Sequence, residues 1–268
     1  PGTRRTGGEI SKRMNMKRYG YLYEDVYDLD NIKRAHHNAQ KGKKYYKEVK
    51  RVNNNPDKYI QQVHNMLKNK TFKNSEYEVM TKKTDSGKVR EIYKLPYFPD
   101  RIIHHSIIQV VGGIWIKTLI KNTYACIPGR GIHKCVKHLK EDLKDEEETK
   151  YCLKMDVKKY YPSIDHEVMK KIIRKKIKDP NLLWLLDEII DSAPGLPIGN
   201  YLSQYLGNLY LNGYDHHMKE VEKCRNYYRY CDDIVILSKS KKWLHSIRKK
   251  TQDLLNKLKL KLKGNYQV

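Results

Sequence analysis

"YYRYCDDIVILSKS", residues 227–240, places two adjacent carboxylates between an aromatic stretch and an aliphatic one. Tyr227–Tyr230 and Ile234–Leu237 read as two strands of a packed hairpin, with Cys231, Asp232 and Asp233 carried on its tight turn. A carboxylate in apolar surroundings is costly unless a cation or donors satisfy it. Aspartate is also a common turn former, so the tip alone leaves a structural reading open. A second stretch narrows the choice. "YCLKMDV", residues 151–157, alternates like a strand and brings Asp156 to its end, 76 residues before Asp232. Two carboxylates meeting on adjacent strands would bind hard divalent ions through oxygen, as magnesium prefers. Ions roughly 3.5–4 Å apart serve phosphoryl transfer.

Working outward, residues 17–70 read as mostly helical. Leu22, Val26, Leu29 and Ile32 form one apolar stripe, and a further helix over Pro56–Lys68 carries Ile60, Val63 and Leu67 on one face. "EYEVMTKKTDSGKVREIYKL", residues 76–95, reads as a hairpin around the turn TDSG, closed off by Pro96 and Pro99. Helix resumes over about 100–119. Its most apolar part, 102–120, is interrupted by His104, His105, Gln109 and Lys117, which fits a buried helix and not a membrane span. "IPGRGIHKCVKHLKEDL", residues 127–143, is a turn and an amphipathic helix; its glycines lack the spacing of a phosphate-cradling P-loop. From 151 onward the order is strand, two helices, the loop "APGLPIGN", a helix over 201–222, the hairpin, and a helix over 241–258. That order predicts an α+β fold with antiparallel strands. The pairs His104/His105 and His216/His217 each predict one imidazole in a helix interface and one in solvent. "KKIIRKKIK", residues 170–178, reads as a solvated helix face.

Lysine and arginine number 55 against 31 acidic residues, a formal charge of +24. An excess of that size in a folded chain points to a polyanionic partner, most often nucleic acid. Tyrosine outnumbers phenylalanine 22 to 2, which carries little weight by itself. The five cysteines contain no CxxC pair, and their odd number argues against a disulfide framework and for a reducing compartment. No histidines fall at zinc-ligand spacing around them, and no secretory signal is visible. The chain does not begin with methionine, Met14 and Met16 being candidate starts, and residues 1–15 are expected to be a disordered extension.

"YCDD" between apolar strands resembles the YxDD box of reverse transcriptases. "LKMDVKKYYPSIDHE" resembles their other aspartate motif, with an aromatic residue five positions after the aspartate. "GLPIGNYLSQYLGNLYLNGYDH" resembles the loop that contacts template and nucleotide, and "GKVREIYKLPYFPDRIIHHSI" the fingers motifs. The four motifs stand in the family's order over about residues 16–268. Ile198 to Gln204, IGNYLSQ, stands where intron and retron enzymes carry QGxxxSP, and it resembles the reverse transcriptases of diversity-generating retroelements, as do "PSIDHE", "DRIIHH", "KIKDPNLLWL" and "KRYGYLYEDV".

The resemblance implies a right-hand polymerase with fingers over 16–150 and palm over 151–268, an antiparallel palm sheet packed on helices, and neither thumb nor primer grip within this stretch. Weak processive synthesis is the corresponding expectation. It implies error-prone copying of a template-repeat RNA, with errors concentrated at adenines. Its partners would be an RNA template, a DNA or RNA primer, deoxynucleoside triphosphates and an accessory protein, in the cytoplasm of a bacterium or as a phage product, with no membrane. Its cofactor would be two Mg2+ ions, with Mn2+ able to substitute. Asp156, Asp232 and Asp233 would be the catalytic metal ligands, with the backbone carbonyl of Val157 beside them. Tyr161 would stack under the incoming sugar and exclude a 2′-hydroxyl; the plain alternative is a core tyrosine. Lys83, or its neighbour Lys82, and Arg90 would hold the triphosphate. Ile198 and Gly199 would meet the nascent pair, glycine allowing close backbone approach. Arg101 would serve fingers structure or template, and Ser203 and Gln204 would cap the next helix or touch template. By the same resemblance Ile198 stands where more faithful relatives carry a glutamine, and an apolar group in place of an amide would loosen the check on the base pair. The competing readings are an intron- or retron-type reverse transcriptase, an RNA-dependent RNA polymerase, which Tyr161 disfavours, and a catalytically silent nucleic-acid-binding protein.

Overall fold

The computed structural model describes residues 17–83, 87, 89–264, 266 and 268. The predicted N-terminal extension, residues 1–15, and most of the TDSG turn lie outside the described residues.

The helical N-terminal region is divided into α1 (Tyr23–Tyr27), α2 (Leu29–Ala39), α3 (Lys47–Asn53) and α4 (Pro56–Lys68). The break after α1 falls at Asp28, whose backbone leaves the helical region while its carboxylate accepts the N–H of Asn31 and caps α2. Asn55 caps α4 in the same way, with Pro56 in the first turn. β1 (Glu78–Lys83) and β2 (Val89–Lys94) form the two-stranded hairpin expected from the alternation. After a kinked turn at Tyr97–Arg101, where Phe98 takes an extended backbone, α5 (Ile102–Ile116) runs through the core. Asn31 of α2 donates to Ser106 Oγ at 2.8 Å, and Gln109 donates back to the Asn31 carbonyl at 2.9 Å, so a polar seam locks α2 to α5.

The second half contains α6 (Ile132–Asp142), β3 (Tyr151–Asp156), α7 (His166–Arg174), α8 (Pro180–Ile190), α9 (Tyr201–Tyr210), α10 (Asn212–His216), β4 (Asn226–Tyr230), β5 (Asp233–Ser238) and α11 (Lys241–Lys257). The strands form one antiparallel sheet in the order β3–β5–β4. Alternation along β5 sends Ile234 and Ile236 into the main core, and Val235 and Leu237 to a smaller cluster with Tyr124 and Cys135 of α6 on the other face. The α+β class and the antiparallel sheet are those expected. The basic run on α7 is only partly solvated, because Lys170 reaches Asp191 at 2.7 Å and Arg174 forks onto Asp187 of α8.

The histidine expectation is corrected. His104 and His105 are both buried, because α5 is covered on nearly every side and offers no solvent face. Burial pushes His104 down to about 3 and His105 down to about 4, with the Arg101 charge adding to both. His216 and His217 are both half-buried, each beside a glutamate, Glu220 at 2.6 Å and Glu222 at 3.3 Å. No helix among the described residues is long and apolar enough to cross a membrane.

Candidate active site

The register Tyr230↔Asp233 leaves Cys231 and Asp232 as a two-residue turn, with Cys231 in the left-handed region at φ 58°. Asp233 therefore opens β5 instead of sitting in the turn, and it lies directly across from Asp156, the last residue of β3. Cross-strand partners point to one face, so sheet register brings together carboxylates 77 positions apart in sequence. Burial raises the pKa of Asp232, and the charges of Asp156 and Asp233 push it further in the same direction. The turn is held from below by Arg229. This fully buried guanidinium pairs with Asp215 at 2.6 Å, and donates to Asn208 Oδ1 at 3.3 Å and to the Cys231 carbonyl at 2.9 Å. Burial opposes the charge of Arg229, but Asp215 outweighs it and raises its pKa.

Residues 261–263 run beside the end of β3. Lys158 N–H donates to the Lys261 carbonyl at 2.8 Å, and Lys263 N–H to the Asp156 carbonyl at 2.9 Å. These bonds flank Val157, pair it with Leu262 and use neither its N–H nor its carbonyl. Lys263 Nζ forms an ion pair with Asp156 Oδ2, while Asp156 Oδ1 is buried with no hydrogen-bond partner. Among the described residues, no three histidine, cysteine or acidic side chains stand close enough to hold an ion as they are. The donor set nevertheless fits a hard divalent cation. It consists of carboxylate oxygens, one of them orphaned in a buried position, and a second carboxyl whose charged form is disfavoured until positive charge arrives.

Tyr161 stands against this cluster. Its hydroxyl accepts from Cys231 Sγ at 3.3 Å, and its ring lies over Gly207 of α9, where an added Cβ would be 3.2 Å from the hydroxyl oxygen and 3.3 Å from the ring. Burial is the main cause of its strongly raised pKa, so the phenol stays neutral. The loop from Gly195 to Asn200 is clamped at both ends. A Cβ on Gly195 (φ +63°) would fall 2.5 Å from the Tyr161 carbonyl oxygen, and one on Gly199 (φ +118°) 2.8 Å from that of Tyr93. Leu196 N–H donates to the Tyr161 carbonyl at 2.9 Å, and Tyr93 N–H to the Ile198 carbonyl at 2.8 Å. Ile198 thus sits half-buried, tied through its carbonyl to the β1–β2 hairpin.

On that hairpin the register sets Lys82, not Lys83, opposite Arg90. Lys82 and Arg90 share a face, and strand alternation turns Lys83 to the other. Arg101 donates to the Ala39 carbonyl at 3.2 Å and lines a cleft of about 550 Å³ together with Lys43, Lys47, Tyr46, Lys94 and Tyr201. Ser203 is buried inside α9 and Gln204 is exposed. Neither caps the helix, whose N-cap position belongs to Asn200, and Asn200 spends its amide on the Tyr77 hydroxyl at 2.9 Å.

Sequence reasoning missed Arg229, Asp215, Gly207 and Lys263. Only the first announced itself, as an arginine inside the strand NYYRY, where a charge survives burial only if paired.

Comparison with known proteins agrees with this geometry. The family model described as reverse transcriptase (RNA-dependent DNA polymerase) matches residues 80–265, a span that includes all three aspartates. Protein YkfC of Escherichia coli (strain K12) is 24% identical over 223 residues, covering 66% of this chain and 58% of YkfC. The group II intron-encoded protein LtrA of Lactococcus lactis subsp. cremoris is 24% identical over 144 residues, covering 50% of this chain and 23% of LtrA. The chain thus spans little more than half of the first relative and about a quarter of the second. Apo telomerase from Candida tropicalis, truncated from its C-terminal domain, superposes with a TM-score of 0.53 at 13% identity, covering 72% of this chain and 49% of that one. At that identity the likeness speaks for the fold alone.

Proposed function

We propose, from the premise that this chain belongs to the reverse transcriptase family, that it is the polymerising part of an RNA-directed DNA polymerase working by two-metal nucleotidyl transfer. The observation that carries the reading is the pairing of Asp156 with Asp233 across β3 and β5, with Asp232 on the adjoining turn. Residues 16–150 would serve as fingers and 151–268 as palm. Asp156, Asp232, Asp233 and the Val157 carbonyl are the residues that would hold Mg2+. Two such ions, when bound, would supply an activated primer hydroxyl and a stabilised leaving oxygen. The chain's own residues do the rest. Tyr161 seats the deoxyribose and leaves no room for a 2′-hydroxyl. Arg90, with Lys82 on its face, neutralises the triphosphate as the primer oxygen bonds to the α-phosphorus and pyrophosphate departs. Gly199 lets the backbone approach the nascent pair, and the cleft beside Arg101 and Tyr201 suits single-stranded RNA, offering cations for phosphate and aromatic rings for bases.

The finer reading is a diversity-generating retroelement enzyme, copying a template-repeat RNA with errors at adenines and working with an accessory protein. IGNYLSQ at 198–204 supports it, as does the clamped loop that presents the aliphatic side chain of Ile198 where relatives place an amide. The likeness to LtrA favours a second reading, an intron-type enzyme copying accurately.

One experiment separates these readings. Deoxynucleotide incorporation on an RNA template with Mg2+ is compared between the full-length protein and its Asp232→Ala/Asp233→Ala variant, and the products are sequenced. Activity lost in the variant, with errors piled at template adenines, is the expected result. Accurate copying would replace the retroelement reading by the intron-type one, and incorporation surviving in the variant would remove the metal site. Ile198→Gln should lower misincorporation at adenine by up to about tenfold, the net worth of one hydrogen bond. An unchanged error spectrum would detach Ile198 from fidelity.

A further inference from the structure

The segment after α11 is bound to the carboxylate site more closely than a connector requires. In Leu260–Lys263, Leu260 and Leu262 are buried, while Lys261 is exposed and Lys263 only half-buried. Pairing of Val157 with Leu262 fixes the register, and alternation then leaves Lys263 beside Asp156. The ammonium of Lys263 takes Asp156 Oδ2, and Oδ1 stays buried without a partner. The Lys263 side chain is 34% exposed and that of Asp156 27%, so the pair lies at the rim of the site and not in the core. It is the one lysine or arginine ion pair that the described residues make with any of the three clustered aspartates.

We propose that Lys263 is a built-in rival of the divalent ions: its ammonium holds Asp156 Oδ2 until an ion takes that oxygen, so Lys263 sets the ion affinity of the site. The inference rests on the metal-holding role proposed for Asp156 above. An ammonium and a divalent ion each need the oxygen directly, one through a charge-assisted hydrogen bond and the other in its coordination shell. They exclude each other by charge and by space. Displacement is easy for lysine, whose flexible stem can carry the ammonium into solvent while Leu262 stays anchored in the core. Until then, Lys263 offsets the repulsion between Asp156 and Asp233 across the strands.

The test uses Mn2+ alone, read by the EPR signal of the free ion, on the protein without nucleotide or nucleic acid. Lys263→Met removes the charge and keeps the stem. It is expected to tighten Mn2+ binding by about tenfold, the scale on which loss of one competing charge acts. Lys263→Arg keeps the competitor and should leave affinity within about twofold of wild type, by the same scale. Asp156→Asn should weaken binding and cancel the gain made by Lys263→Met. In EDTA, Lys263→Met should melt below wild type, and saturating Mn2+ should raise its midpoint by more than it raises that of wild type. Lys263→Gln gives an independent reading should methionine disturb the fold. Equal or weaker Mn2+ binding in both charge-removing variants overturns the proposal and leaves Asp156 a ligand. Absence of Mn2+ binding from every variant overturns the metal reading and this inference with it.

Discussion

Tyr161 shows how much one side chain depends on another that does no chemistry. The ring occupies the space a Cβ would fill on Gly207, and its hydroxyl meets Cys231 in the turn that carries Asp232. In an exposed helix, glycine to alanine stabilises by about 1 kcal/mol. Here the added methyl would press the tyrosine toward the proposed sugar site, since contacts of 3.2–3.3 Å leave only tenths of an ångström to give. Gly207→Ala should therefore change the ratio of deoxynucleotide to ribonucleotide incorporation by about tenfold, with little change in melting temperature. A lower melting temperature with unaltered sugar selection would mean that Gly207 serves packing only. Arg229 is a second such residue. Arg229→Met leaves Asp215 buried without its counter-ion, held only by the Tyr227 and Thr123 hydroxyls, and should cost about 3–5 kcal/mol in denaturant unfolding. Arg229→Met combined with Asp215→Asn should cost less than the sum of the two single changes, as expected for members of one network.

At the scale of elements, one carboxylate ties the start of the N-terminal helices to the second half of the chain, beside the backbone bridge of Tyr19 to Ile177. Asp179 caps α8 through the N–H groups of Asn181 and Leu182, and reaches the N–H groups of Leu22 and Tyr23 at the start of α1, at 2.6 and 2.9 Å. Burial alone would raise its pKa, but those four backbone donors outweigh burial and lower it. A depressed carboxyl pKa stabilises the fold above the unfolded value, about 4, and that stability is lost as pH falls through the folded value below it. Asp179→Asn should lower stability by about 1–3 kcal/mol at pH 7, and the gap between variant and wild type should narrow below pH 4. A gap of constant size across that range would show that the charge of Asp179 is irrelevant and only its shape matters. The β1–β2 hairpin is joined differently. Its strands are largely exposed, and Tyr93 to Ile198, Tyr77 to Ser192 and Tyr77 to Asn200 are the contacts that fasten it to the loop and to the end of α8.

For the whole molecule, the charge of +24 matters more than any single contact. It predicts RNA binding dominated by phosphate neutralisation, with affinity for single-stranded RNA falling by about 10³-fold between 50 and 200 mM salt. Arg101→Ala should flatten that salt slope by about one phosphate's worth and weaken a single-stranded template more than a blunt duplex. Equal losses on both would place the Arg101 cleft away from the template path. Retention of tight binding at high salt would mean that stacking, not charge, holds the strand.

Much of the fold and of the candidate site was legible in the residues themselves. The strands ending at Asp156 and flanking the acidic turn, the helices over Pro56–Lys68 and Lys241–Lys257, the β1–β2 hairpin and the order of motifs that names the family all follow from period, turn chemistry and local pattern, though Asp233 opens β5 and does not sit in the turn. The structure alone decided which partner fills each side. It set Lys82 and not Lys83 beside Arg90, enclosed both His104 and His105, made room for Tyr161 at Gly207, bound Arg229 under the turn, and brought Lys263 across 107 residues to Asp156. The physical reason is that period tells a side chain which face of its own element it takes. What meets that face depends on register and packing between distant segments, and those are settled by the free energy of the whole fold.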